Sequence, residues 1–236
     1  LAANLSTARF LKEQGDGIFI HHAGFRKERL EDVKRLAEEN NIALPEDLST
    51  LKGYVQFIKS VESTDTQHPL KTILSRLLIR SEFSLKAEPH TGMGFDCYTT
   101  FTSPIRKYND LLIHRIIKSK LSDAPMPKLD DNLINSLQSG LNTGRAAVSM
   151  AENWLKQQFI KDQQGQTFPA LITQVNPSGF TIQLKETGIE GFVDLRKVNP
   201  RFSFDKNYLI LANDKVSYQI DQDVEVVLAQ VDLMKR

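Results

Sequence analysis

The run Thr102-Ser103-Pro104-Ile105-Arg106-Lys107-Tyr108-Asn109-Asp110 gathers hydroxyls, a proline, two cations and a carboxylate into one short stretch of backbone. Read as a helix start, it makes Ser103 a favoured cap and puts Pro104 at the first helical position, where a missing amide donor is not felt. Arg106 then falls in the first turn, among free backbone amides and at the positive end of the helix dipole, a setting that favours an anion. A cation there costs roughly 0.3–1 kcal/mol unless an anion offsets it. The guanidinium fork and the amides together therefore describe a phosphate site, to which the hydroxyls of Thr99, Thr100 and Thr102 could add neutral donors. The competing reading is an ion pair between Arg106 and Asp110, four residues further on.

Arg106, Asp110 and His114 follow one another at spacings of four and share a helix face, which would let Asp110 bridge the other two in a supporting network. As a metal site this set is poor, because one carboxylate and one histidine are too few ligands. The adjacent His21 and His22 point to opposite faces if they lie on a strand, so only one of them can join any given site. Glu38 with Glu39, and Asp130 with Asp131, read as solvated charge rather than a magnesium cluster. The sequence has no glycine-rich phosphate loop, nucleophile elbow or metalloprotease helix. Cys97 is the single cysteine, which excludes an internal disulfide, suggests a reducing setting and fits a small apolar filler.

The elements that must position these groups fall into two regimes. Helical periodicity predicts helices over Leu1–Glu13, Arg26–Asn40, Leu51–Glu62, Pro69–Arg80, Pro104–Leu121 and Asp130–Lys161, the last weakened near Gly140 and Gly144. Gly17–His22 and Cys97–Thr102 read as strands. After the linker at residues 161–166 the pattern changes to short alternating strands at residues 168–175, 180–184, 189–195 and 223–231, with turns at Asn176–Gly179 and Lys185–Gly188 and a long polar loop through Asn213. Short strands with glycine and proline turns in this stretch suit a small closed OB-type barrel, giving an α+β chain with domains at 1–162 and 163–236. The opening residues already run at helical spacing through Leu1, Leu5, Ala8 and Leu11 without a cap, so a piece of a longer protein is expected.

Net charge is only +1, but residues 71–120 carry nine cations against four anions, a local excess that a polyanion could use. The barrel region from Gly165 has eight cations, including Lys235 and Arg236, and nine anions, including Asp232, so any nucleic acid would meet a local face there. No apolar run is long enough to span a bilayer.

Residues 90–115, HTGMGFDCYTTFTSPIRKYNDLLIHR, resemble the signature of the RNB family of exoribonucleases. Residues 2–25 are similar to the helix, turn and strand that precede it, and the final barrel is similar to the S-one RNA-binding domain that follows. The ribonuclease II type is favoured over the ribonuclease R type, because no lysine-rich tail is seen. The resemblance implies a processive, magnesium-dependent, cytoplasmic enzyme that degrades single-stranded RNA from its 3′ end to nucleoside 5′-monophosphates, acting as a monomer. It implies that Arg106 is catalytic at the scissile phosphate, that Lys107, Ser103, Thr102 and Tyr98 contact RNA, and that Asp110 and His114 support them. The magnesium aspartates of the family lie upstream, so no metal ligand is expected in this chain, which would be inactive alone. An acidic position of the family's last helix is Val148 or Ser149 here, with Glu152 a turn later, and its role is not transferred. On the barrel, Ser178, Thr181 and Asp194 replace the usual RNA-facing residues; Phe180 and Phe192 remain as either base platforms or core. A non-catalytic RNA-binding module and a protein scaffold stay open as alternatives.

Overall fold

The structure, a computed structural model, describes residues 1–66, 68–122 and 124–231. Asp232, Lys235 and Arg236, counted above in the barrel charge, lie outside the described residues. The first helix, α1 (Ala2–Glu13), turns Asn4, Thr7, Ala8 and Leu11 inward and leaves Leu1 exposed, so its buried stripe is offset from the one its leucines suggest. A buried amide without partners costs about 1–3 kcal/mol, and Asn4 therefore needs hydrogen bonds in the interior. Strand β1 (Phe19–His21) pairs antiparallel with β2 (Glu82–Ser84), setting Ile20 opposite Phe83.

Helix α2 (Leu30–Glu39) carries Glu31 and Asp32 in its first turn, where the dipole favours anions, and Arg35 reaches Asp32 at 2.7 Å. Helix α3 (Leu51–Ser63) is capped by Thr50, whose hydroxyl accepts the Gly53 N–H at 3.1 Å. It buries Tyr54, Phe57 and Val61 at helical spacing, and the fully enclosed Phe57 meets Phe25 edge-on at 6.0 Å. The helix expected over Pro69–Arg80 is shorter, because α4 (Leu70–Ser75) ends where tertiary bonds take over. Leu77 C=O receives the Arg26 N–H, and the Ile79 N–H reaches Gly24 C=O, each at 2.9 Å.

Helices α5 (Tyr108–Ser122) and α6 (Asp131–Ile160) complete the helical set. Gly140 and Gly144 have open space around them and do not break α6. Leu11, Ile18, Phe19, Leu112, Ile113 and Ile116 form one enclosed apolar cluster, which fixes α5 against α1 and β1.

Strand β3 (Thr167–Asn176) pairs antiparallel with β4 (Gly179–Leu184) and with β9 (Asp223–Val227), and β4 pairs with β5 (Glu190–Asp194), in the order β5-β4-β3-β9. At Gly179 a Cβ would stand 1.9 Å from the Val193 carbonyl oxygen, so the β4–β5 approach requires glycine. A second sheet holds β6 (Ser203–Asp205), β7 (Ile210–Ala212) and β8 (Ser217–Gln219). The long polar loop of the sequence reading thus contains two of these strands, with the third just after it. Among the described residues β5 and β9 are the edges of the four-stranded sheet, and β3 is also bonded to the stretch after β8 through Ile172 with Asp221 and Gln222. The mixed α+β class holds.

The chain forms two compact units, one of residues Leu1–Thr64 with Leu77–Gly144, the other of Asp65–Arg76 with the chain from Arg145 onward. The division therefore differs from a cut at 162, since α4 and the second half of α6 group with the strands. Within that second unit Thr72 donates to Asp221 at 2.6 Å, His68 Nδ1 meets Gln219 Oε1 at 3.2 Å, and the Arg76 guanidinium donates to the Thr173 carbonyl. No helix among the described residues is long and apolar enough to cross a membrane.

Candidate active site

The strand expected over Cys97–Thr102 does not form; the segment is held by one backbone bond from β1 and by side chains. Ile20 N–H donates to Tyr98 C=O at 2.8 Å, and the Thr99 hydroxyl donates to Ile18 C=O at 2.6 Å. The Asn4 amide supplies the partners that burial demands, donating to the Tyr98 hydroxyl at 2.9 Å and accepting the Phe101 N–H at 3.0 Å. Tyr98 is buried and packs edge-on against His90, so it lies inside the support and not on the exposed surface where an RNA contact was expected. Cys97 is fully buried, and burial, then the Asp96 charge, pushes its thiol pKa up, as suits an inert filler.

Helix α5 holds the same segment from the other side. Asp110 is entirely buried and accepts the Thr100 hydroxyl at 2.5 Å, the Asn109 amide at 2.8 Å and the Ser103 N–H at 2.9 Å. One turn later His114 Nε2 donates to Phe101 C=O at 2.9 Å while its ring stacks on Phe101 at 4.1 Å. The expected bridge from Arg106 through Asp110 to His114 is therefore not made, because the loop already fills both carboxylate oxygens.

The helix begins at Tyr108 rather than Pro104, so Ser103 is not its cap and Arg106 precedes its first turn. Pro104, Ile105 and Arg106 form a turn in which the Arg106 and Lys107 N–H groups both donate to Ser103 C=O, at 3.2 and 3.0 Å. Thr102, Ile105, Arg106, Lys107 and Tyr108 are exposed, and Ile105 is completely so. The ion pair between Arg106 and Asp110 is absent. Among the described residues the Arg106 side chain has no hydrogen-bond or ion-pair partner, which leaves the fork available to an external anion.

Behind the segment, His22 and His90 stack at 5.3 Å. His22 Nδ1 accepts the N–H groups of Gly24 and Gly92, at 3.2 and 3.1 Å, whereas His21 turns away and meets Pro89 O through Nδ1 at 3.0 Å. Burial leads the causes that lower the pKa of both His22 and His90. The local cation excess is also divided: Lys71 and Arg76 belong to the second unit, and Lys71, Arg76 and Lys120 have partners within the protein.

In the strand-rich unit Phe180 is core, with its ring 4.7 Å from Tyr218, while Phe192 is half-exposed. Phe192 lines a cavity of about 570 Å³ with Phe168, Ile182 and Arg196. Arg196 grips Asp194 through Nε and Nη2, which holds that carboxyl well below the usual carboxylate range. Among the described residues no group of three or more His, Cys, Asp or Glu could hold a metal ion.

A model of the RNB domain matches residues 1–123, more than half of the chain. The chain belongs to the RNB family. Exoribonuclease 2 of Haemophilus influenzae (strain PittGG) is 32% identical over 250 residues, covering 98% of this chain and 38% of that protein. Exoribonuclease 2 of Glaesserella parasuis is 31% identical over 255 residues, covering all of this chain and again 38% of the relative. This RNB chain thus spans well under half the length of the curated relatives it matches. Its fold is similar to that of Mycoplasma genitalium RNase R in complex with ribose methylated single-stranded RNA, with a TM-score of 0.69 at 24% identity over 98% of this chain and 38% of that one.

The residues that sequence reasoning missed are Asn4, Thr100 as a donor to Asp110, and Asn109. The signal for Asn4 was legible: a polar residue at a position where the buried stripe of α1 continues must find a partner in the interior. Nothing in the sequence signalled the pairing of Thr100 with Asp110 or Asn109.

Proposed function

We propose that this chain is one part of an exoribonuclease that hydrolyses single-stranded RNA processively from its 3′ end to nucleoside 5′-monophosphates. The observation that carries the reading is the exposed Arg106, without a partner among the described residues, on a turn whose backbone is tied down. Hydrolysis of a phosphodiester builds negative charge on the phosphoryl oxygens, and a planar guanidinium stabilises it through two parallel N–H bonds. An arginine already committed to a carboxylate would have to break that pair first; Arg106 does not. Lys107 supplies a second phosphate contact, with the Thr102 and Ser103 hydroxyls as neutral donors, while Tyr98 supports the segment from within. On the strand-rich unit Phe192 is the exposed base platform, worth about 1–3 kcal/mol per stacked base, and Phe180 is core.

Magnesium would neutralise the phosphate and activate water, and its carboxylate ligands belong to a part of the enzyme beyond the residues described. The 236 residues alone are accordingly inactive. The enzyme works as a monomer in the cytoplasm, in turnover of messenger RNA.

The test is magnesium-dependent release of nucleoside monophosphates from a single-stranded oligonucleotide, by this chain and by the longer RNB protein that contains it. Robust activity from the chain alone refutes the claim of missing ligands. In the longer protein Arg106→Lys is expected to raise the barrier by about 2–4 kcal/mol with far less change in RNA affinity. An equal loss of affinity would move Arg106 from catalysis to binding, and salt-dependent RNA binding without hydrolysis would favour a non-catalytic module.

A further inference from the structure

The most unusual charge in the helical unit is one the expected network had wrongly assigned. Asp110 is completely buried, yet no cation pairs with it among the described residues. A carboxylate taken out of water is costly unless its lone pairs are filled, and here neutral donors fill them. Thr100 and Asn109 bond one oxygen and also each other, with Asn109 Nδ2 donating to Thr100 Oγ1 at 2.7 Å, while the Ser103 N–H takes the other oxygen. As the third residue of α5, the carboxylate also lies beside the free amides and positive dipole end of that helix.

Ser103 carries the constraint onward. Its N–H is fixed on Asp110, and its carbonyl takes the N–H groups of both Arg106 and Lys107. Only one residue, Ser103, separates the buried anion from the turn that displays the guanidinium. We propose that Asp110 is the positioning residue for Arg106: its enclosed carboxylate anchors Ser103, and Ser103 anchors the turn. The carboxylate is enclosed and its oxygens are taken, so it does not reach substrate itself. His114 plays a different part, since it holds Phe101 and not Ser103. The inference rests on the reading of Arg106 as a phosphate-binding arginine.

The experiment compares wild type with Asp110→Asn, Thr100→Val and Thr100→Ser in the full chain by residue-resolved amide exchange. In Asp110→Asn an NH₂ group faces donors, and exchange at Ser103, Arg106 and Lys107 is expected to rise at least about tenfold while amides of α1 and α3 keep their protection. Thr100→Val removes one donor, leaves the carboxylate in place and should loosen the same three amides by a smaller factor; Thr100→Ser should restore them. Wild-type protection at those amides in both Asp110→Asn and Thr100→Val overturns the proposal. So does a uniform loss across the helical unit in Thr100→Val, because that describes a general structural role.

A second readout uses oligoadenylate as the probe against modification of Arg106 by phenylglyoxal. RNA should shield Arg106 in wild type and in Thr100→Ser, and shield it several-fold less in Thr100→Val. Equal shielding in wild type and Thr100→Val overturns the positioning role. If Arg106 is not shielded even in wild type while the three amides still depend on Thr100 and Asp110, the phosphate-binding reading of Arg106 fails and the anchoring of its turn stands.

Discussion

Replacing His22 by Phe keeps a ring against His90 but removes the acceptor that two backbone amides share. In the folded chain His22 Nδ1 receives the Gly24 N–H at 3.2 Å and the Gly92 N–H at 3.1 Å, and the residue is 7% exposed. Gly92 lies close against the ring, where a Cβ would stand 3.1 Å from the imidazole. A buried donor left unpaired costs about 1–3 kcal/mol; both bonds are on the long side, so about 1–2 kcal/mol each and about 2–4 kcal/mol together is expected. Protonating Nδ1 would break the same two bonds. Burial is the main cause holding the His22 pKa below its ordinary 6.5, with the His21 charge adding to it; for His90 burial acts first and His22 second. The folded chain therefore binds these protons less readily than the unfolded chain. The stabilisation is fully present above about pH 6.5 and is lost as pH falls through the lowered folded values. Urea denaturation followed by far-UV circular dichroism, at about pH 7.5 and about pH 5.5, measures both effects. His22→Phe should lose about 2–4 kcal/mol at the higher pH and show a smaller further loss in acid than wild type, with His90 supplying what remains. A cost below about 0.5 kcal/mol, or an undiminished acid loss, refutes the reasoning.

Three further outcomes are expected. Thr50→Ala removes the hydroxyl that caps α3 and should cost about 1 kcal/mol in urea denaturation, whereas Thr50→Ser should be near neutral. Phe57→Ala empties a fully enclosed site and should cost about 3–5 kcal/mol, read in the same assay. The two barrel phenylalanines should separate: Phe180→Ala destabilises the strand-rich unit by about 3–5 kcal/mol. Phe192→Ala should leave its melting near wild type and weaken binding of a single-stranded oligonucleotide by about 1–3 kcal/mol, read by fluorescence anisotropy.

Amphipathic helices were the most legible part of the sequence. Residues of α3 repeat at helical spacing, and the helix starts at Leu51, where that spacing places it. The start of α5 could not. Ser103-Pro104 carries every local mark of a helix entry, and what overrides them is a tertiary bond from the Ser103 N–H to a carboxylate seven residues on. The same bond redirects Asp110 away from Arg106, so Asp110 has other partners than the spacing of four suggested. Cys97–Thr102 read as a strand, but the segment is held by side-chain bonds from Asn4 and Thr99 and a backbone bond from Ile20 rather than by a sheet ladder. Strands of three residues, such as β6 and β7, are too short to express a period of two, and they vanish inside a polar loop. The histidine pair shows the reverse: strand geometry alone separated His21 from His22, and only one of them is buried.

The placement of α4 bears on how such a chain could be cut and recombined. A gene fusion that borrowed the strand-rich unit as a terminal cassette from residue 163 would leave behind α4 and the whole of α6, including the half from Arg145 that belongs with the strands. The transplanted strands would lose Thr72 from Asp221, His68 from Gln219 and Arg76 from the Thr173 carbonyl. A faithful exchange needs junctions at 64/65, 76/77 and 144/145, where the chain passes between units. Crossovers that respect all of them are far rarer than a single splice, so the two units are expected to travel through evolution together.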